Sequence, residues 1–282
     1  MSSPLLIQLD PRNIMRSFKQ IDSEAPSYTL KREHCSMRLL QVLACTCVCL
    51  ILIHYLKYSS SFIAALAMLS ELQGEASNYW LSQIQASGFA RLFSYTWWTS
   101  WHLIGYVLLP FLLIRYVLKM RMSDMAIGWG DTHKHWLGYA LLLSPILFFI
   151  FLVSFRSDFL QHYPFYDDAG RSWFDLIAWE ILYLCQFAAL EFFFRGFILQ
   201  SLRPAIGAGA IWVMCVPYLM IHFPKLWLEA TGAIFFGFFL GILALRSFSI
   251  WGGFLVHAGV AVTMDLASLI QQNRLPQQFW PF

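Results

Sequence analysis

Four side chains in the C-terminal part of the chain have the types needed for proton-transfer chemistry in an apolar setting: Glu191, Arg195, His222 and His257. Glu191 and Arg195 are four apart in Leu190-Glu-Phe-Phe-Phe-Arg-Gly196, which puts them on one helix face about one turn apart. An ionisable group in hydrocarbon costs about 2.5–3.5 kcal/mol on insertion scales, so each needs a reason to be there. The pair neutralises itself, which suits a buried ion pair pinning two helices as well as it suits catalysis. His222 closes an apolar run in Tyr218-Leu-Met-Ile-His-Phe-Pro224, and His257 sits inside the last run, in Phe254-Leu-Val-His-Ala-Gly259. A single intramembrane histidine is usually a core hydrogen-bonder. One Glu, one Arg and two His on separate helices form a set that can activate a water and stabilise an oxyanion.

One carboxylate with two imidazoles is also a zinc set. None of the close helical zinc spacings is present, so no cofactor is expected. Zinc at Glu191, His222 and His257 is the weaker alternative. Two further acids stand apart. Asp265 is eight residues past His257, about 12 Å along a helix, and Glu180 is eleven before Glu191, about 16 Å. Neither can share a water with the nearer member of the set. Ala261, one turn from His257, carries no polar atom.

The elements that must hold these residues are membrane helices. Of 282 residues 59% are hydrophobic and only 12% are charged, about half the share of a soluble protein. With a mean hydropathy of +0.58, this composition excludes a disordered chain, a nucleic-acid binder and an ordinary soluble enzyme. The apolar runs are continuous rather than alternating, which excludes a strand barrel. Backbone groups in lipid must be satisfied within each run, so the runs are helices. They fall at about 38–56, 97–118, 136–154, 173–194, 207–222, 230–246 and 250–270, with a weaker stretch at Phe62–Met68. The fold class is therefore all-α: a polytopic membrane bundle of seven to eight transmembrane helices.

Residues 1–36 are polar, lack the apolar core of a signal peptide and read as a cytosolic tail containing a short surface helix. Residues 37–282 read as one transmembrane domain. With the N-terminus inside and seven helices crossing, thirteen of the nineteen Lys and Arg residues fall on the inner side and the C-terminus is outside; an eighth crossing would reverse that. The six cysteines form no CxxC pair and read as packing residues. Two loops are longer than packing needs, 57–95 and 155–172. The second carries His162-Tyr-Pro-Phe-Tyr-Asp-Asp168, which suits either a peptide entrance or side chains at the headgroup level. The 121–135 connection, with Asp124 and Asp131 beside Gly128 and Gly130, has no evident role.

In these motifs the chain resembles the CAAX-protease and bacteriocin-processing family of intramembrane proteases, also called the Abi family. The family's two glutamates, three residues and arginine correspond to Leu190, Glu191 and Arg195. Its aromatic and histidine correspond to Tyr218 and His222, and its last motif to His257 and Ala261. The first glutamate is replaced by Leu190 and the helper asparagine by Ala261, so the chain resembles a divergent branch with a single Glu before the Arg. The resemblance implies a protease-like core at about 173–270 in a bundle of about eight helices.

It also implies the reaction: hydrolysis of a peptide bond in a membrane-associated protein or peptide. Glu191 would activate the water, Arg195 would hold it, His222 would orient the water or shuttle the proton, and His257 would bind the oxyanion. Processing of leader peptides or C-terminal anchors in a bacterial inner membrane fits better than cleavage of prenylated termini. The expected partners are that substrate and the lipid bilayer, with no nucleic acid. The rival reading is an inactive member acting as a scaffold or immunity-type binding protein. A proton-coupled transporter lacks the expected inverted repeat.

Overall fold

The computed structural model describes residues 11–23, 32–224 and 227–281. Its helices, in chain order, are α1 (Pro11–Ser23), α2 (Arg32–Leu56), α3 (Ser59–Leu72), α4 (Tyr79–Ala86) and α5 (Ala90–Val117). They continue as α6 (Trp136–Val153), α7 (Ser157–His162), α8 (Trp173–Ile206), α9 (Gly209–Met220), α10 (Trp227–Ser247) and α11 (Trp251–Gln271). No strand occurs among the described residues. The all-helical expectation holds.

Six helical stretches are long and apolar enough to cross a bilayer: His34–Leu56, Ala90–Val117, Trp136–Val153, Trp173–Ile206, Ala230–Ser247 and Trp251–Gln271. Two shorter apolar helices, α3 and α9, bring the set to the expected size. The run at 207–222 yields only the 12-residue helix α9, about 18 Å long against about 30 Å of hydrocarbon. The sharp turn at Gly207 (φ 57°) precedes it, and it gives way to turns before Pro224. The stretch at Phe62–Met68 lies within α3. The protein is a multi-pass membrane protein, and α6 shows its lipid-facing character directly: Phe148, Phe149, Phe151 and Leu152 are all more than half exposed.

The chain forms two compact units. The first comprises Met1–Val48, Leu109–Leu142 and Leu190–Val256. Its core holds Phe193, Phe194, Phe197, Ile198, Leu199 and Leu202, all fully buried, with Ile211 and Met214 of α9. Small residues let α9 and α10 approach closely: Gly241 faces Ile211 and Met214, and Gly237 faces Cys215 and Tyr218. The surface helix expected in the N-terminal tail is α1, and it is docked. Ile21 is buried, Phe18 stacks on Phe238 at 5.5 Å, and Asp22 Oδ1 accepts the Ala208 N–H at 2.6 Å.

The 121–135 connection belongs to this unit and is a brace. Ile250 N–H donates to the Ala126 carbonyl (2.9 Å) and Asp131 N–H to the Ser247 carbonyl (2.7 Å). Trp251 Nε1–H donates to the Ile127 carbonyl (2.8 Å). The loop thus holds the turn between α10 and α11 through main-chain groups.

The second unit comprises Cys49–Leu108, Leu143–Ala189 and His257–Phe282. Its core is aromatic: Tyr166, Trp179 and Tyr183 with Leu176, Ala261 and Leu269, flanked by Tyr95, Trp98, Phe165 and Phe187. The aromatics of the 155–172 loop turn inward. Tyr166 is fully buried and Tyr163 nearly so, and the Tyr95 hydroxyl donates to the Phe165 carbonyl at 2.6 Å. The start of α8 is fastened by Asp175, which accepts from Arg171 (2.8 and 2.7 Å), Ser172 Oγ (2.7 Å) and Tyr166 Oη (2.7 Å). Ser172 Oγ in turn accepts the Asp175 N–H at 3.0 Å, a reciprocal cap of the helix N-terminus.

Candidate active site

The site is built on the middle of α8. Glu191 ends the regular α-helical part, and the next seven residues, Phe192–Ile198, form a π-helical turn whose side chains are all buried. Such turns break the regular ladder and recur at functional sites. A neighbouring carbonyl comes close here: a Cβ on Gly196 would stand 3.0 Å from the Met125 oxygen. Only a glycine admits that approach without displacement.

Arg195 donates Nη1–H to Glu191 Oε1 at 2.9 Å. Both residues are fully buried. The guanidinium lies over the Tyr218 ring, 4.3 Å from its centroid. Cation–π attraction strengthens once such a pair is desolvated. Tyr218 sits on α9, edge-on to Phe194 at 5.1 Å and 4.8 Å from the His222 ring. His222 Nδ1 is 2.7 Å from the Tyr218 carbonyl. A carbonyl only accepts, so Nδ1 carries the hydrogen and Nε2 is the accepting nitrogen of the neutral ring. Glu191, Arg195, Tyr218 and His222 therefore form one connected series inside the first unit.

The other oxygen of Glu191, Oε2, lies against Gly253 in the first turn of α11, where any Cβ would collide with it. A helix N-terminus carries partial positive charge and favours a carboxylate there. The adjacent Gly252 lies against the Tyr139 ring, whose hydroxyl is 3.0 Å from Ser247 Oγ. Gly253 and Tyr139 were not singled out from the sequence. The consecutive glycines opening the last apolar run are the available signal, since adjacent helical glycines mark close approach.

His257 belongs to the second unit, half-buried, with its ring stacked on Phe187 at 5.4 Å and 18°. Ala261 is fully buried in the aromatic cluster, and Leu190 is 5% exposed. Glu180 and Asp265, the two acids set apart in the sequence, lie in the second unit. Asp265 is fully buried and accepts Trp179 Nε1–H at 2.6 Å. Its Oδ1 and both carboxylate oxygens of Glu180 are buried without a hydrogen-bond partner among the described residues. No three His, Cys, Asp or Glu side chains among the described residues converge as metal ligands.

Residues 171–263, about a third of the chain, match the family model described as type II CAAX prenyl endopeptidase Rce1-like. The match contains all four candidate residues and the family is the one the motifs led to. At that level the chain is similar to membrane-embedded proteases that hydrolyse peptide bonds. Neither the curated proteins nor the solved structures yield a match to the chain.

Proposed function

We propose, from the match of residues 171–263 to the CAAX prenyl endopeptidase family, that this protein is an intramembrane endopeptidase with a glutamate-activated water. The observation that carries the proposal is the series Glu191–Arg195–Tyr218–His222 within the matched stretch. Oε1 of Glu191 accepts from Arg195, and the carboxylate takes a proton from water. The hydroxide formed adds to the scissile carbonyl carbon, and the peptide oxygen becomes an oxyanion. Return of the proton to the amide nitrogen, directly or through His222 Nε2, lets the C–N bond break and releases a carboxylate and an amine. Oxyanion stabilisation falls to His257, assigned by its motif position. No metal takes part in this scheme.

The substrate is a membrane-associated protein or peptide, trimmed at a leader or at a C-terminal anchor. The setting is a bacterial inner membrane, with residues 1–36 on the cytosolic side and residues 37–282 acting as one transmembrane domain. The single-glutamate pattern supports a divergent branch in which Glu191 is the base.

The test compares strains carrying the wild-type protein or Glu191→Gln at equal abundance. Gln keeps an amide oxygen for the Arg195 N–H but leaves the buried guanidinium without its counter-ion. The unfolding temperature of the variant is therefore measured beside its abundance, and ends are compared only where the variant is folded. Mass spectrometry of protein ends should find chains that stay longer or stay anchored only in the variant. Identical ends in both strains would overturn the proposal.

One observation favours a second reading, an inactive scaffold: apolar side chains at both departures, Leu190 and Ala261, are built into the core. That reading predicts a partner that co-purifies intact whatever residue 191 is.

A further inference from the structure

Away from these residues, the first unit contains a polar pocket of about 250 Å³ that the proposed reaction does not use. It is lined by Ser17 and Gln20 of α1, Asp131 and His135 of the loop before α6, and Leu245 and Arg246 at the end of α10. Its depth relative to a bilayer follows from the helices. His135 directly precedes the span Trp136–Val153, and Arg246 lies in the last turn of the span Ala230–Ser247. The two helices are neighbours there, since a Cβ on Gly138 would stand 2.9 Å from Leu243. Trp136 and Trp129 are 64% and 61% exposed close by, as expected of aromatics in the headgroup layer.

The charged groups of the lining are Arg246 and Asp131. Asp131 is neutralised by Lys134 from outside it, which leaves the Arg246 guanidinium without a carboxylate of its own among the described residues. Arg246 donates to Ser17 Oγ at 2.7 Å and to Gln20 Oε1 at 3.2 Å, both neutral acceptors. The acid in the lining, Asp131, is bound by Lys134 at 2.9 Å, which holds its carboxyl below the usual range. Burial, and after it the nearby Arg246, lowers the His135 imidazole below its ordinary value, with Asp131 acting in the opposite direction.

We propose that this pocket binds the phosphate of an anionic phospholipid headgroup. The volume admits a phosphate, and each Arg246 Nη carries a second N–H beyond the one given to Ser17 or Gln20, a donor type that matches phosphate oxygens. Basic pockets at the ends of membrane helices attract anionic headgroups. The position at the ends of two spans, beside exposed tryptophans, favours a lipid phosphate over a free one. Bound there, the lipid joins α1 to the ends of α6 and α10.

The test uses the full-length protein, delipidated in a zwitterionic detergent, and follows thermal unfolding with added phosphatidylglycerol, phosphatidylcholine or inorganic phosphate. Phosphatidylglycerol should raise the unfolding temperature, and the other two should not. Arg246→Gln should weaken the apparent affinity for phosphatidylglycerol about fivefold. Equal stabilisation by phosphatidylcholine, or by inorganic phosphate at equal phosphorus concentration, overturns the proposal. So does an unchanged phosphatidylglycerol affinity in Arg246→Gln. Because Arg246 also ties down α1, the exposed Lys134→Gln is the second variant. A similar loss of affinity supports the site, and no loss overturns it.

Discussion

In the first unit a buried glutamate keeps its own cation: Glu191 and Arg195 are fully buried, joined at 2.9 Å, with the guanidinium over Tyr218. In the second unit Asp265 is equally buried but accepts only an indole N–H, and Glu180 has no hydrogen-bond partner among the described residues. A carboxylate with a bonded counter-ion can remain ionised in a low-dielectric interior. One without a cation pays the full desolvation cost for its charge. The two units thus differ in what a substitution removes: half of a charge pair in the first, a single hydrogen-bond donor in the second.

Arg195→Met removes the counter-ion while keeping most of the volume. It should cost about 3–5 kcal/mol, the loss expected when a buried pair is broken on one side. Thermal unfolding in detergent and abundance in membranes would both report it. An unchanged unfolding temperature would erase the proposed difference between the units.

Gly253→Ala tests the other side of the same carboxylate. The added methyl meets Glu191 Oε2, so a loss of about 1–3 kcal/mol is expected from overpacking. Cleavage should fall further than the stability loss explains, because the acid itself is displaced. Gly232→Ala is the control: nothing lies within 4 Å of its Cβ position, and alanine there should stabilise α10 by about 0.5–1 kcal/mol.

In the second unit Trp179→Phe strips Asp265 of its donor, and about 1–3 kcal/mol should be lost on thermal unfolding. Asp265→Asn is the sharpest contrast with Arg195→Met. It removes a charge that has no cation beside it, so stability should stay within about 1 kcal/mol of wild type. A loss as large as that of Arg195→Met would mean that Asp265 has a charged partner and that the two units handle buried acids alike.

Much of the fold was legible because lipid leaves few choices. Continuous apolar runs in a bilayer must be helices, and the runs at 136–154, 230–246 and 250–270 reappear as α6, α10 and α11 within a few residues. The local part of the site was legible for a related reason. Glu191–Arg195 and Tyr218–His222 are both four apart, and helix geometry alone brings such residues together. Both pairs are in contact. The run at 207–222 was harder, because hydropathy measures apolar character and not the turns at Gly207 and before Pro224 that shorten α9.

The residues that sequence reading left without a purpose depend on long-range approach. Asp265 stands too far from His257 along its own helix to bond it, and its partner is Trp179, 86 positions away. Loop 121–135 carries no side-chain motif, yet its Ala126 and Ile127 carbonyls and its Asp131 N–H bond the turn at Ser247–Trp251. Main-chain bonding of that kind leaves almost no mark on side-chain identity.

By itself the sequence determined the environment, the helical class and the two short-range pairs, since each follows from local periodicity and the cost of unsatisfied polar groups in lipid. Only the tertiary structure decided that Arg195 lies over Tyr218, that Glu191 rests against Gly253 and that Asp265 has an indole for its donor. Those outcomes depend on which helix faces come together, and apolar faces in a bilayer are nearly interchangeable in hydrophobic energy. Small residues, main-chain bonds and the shape of buried aromatics choose among them.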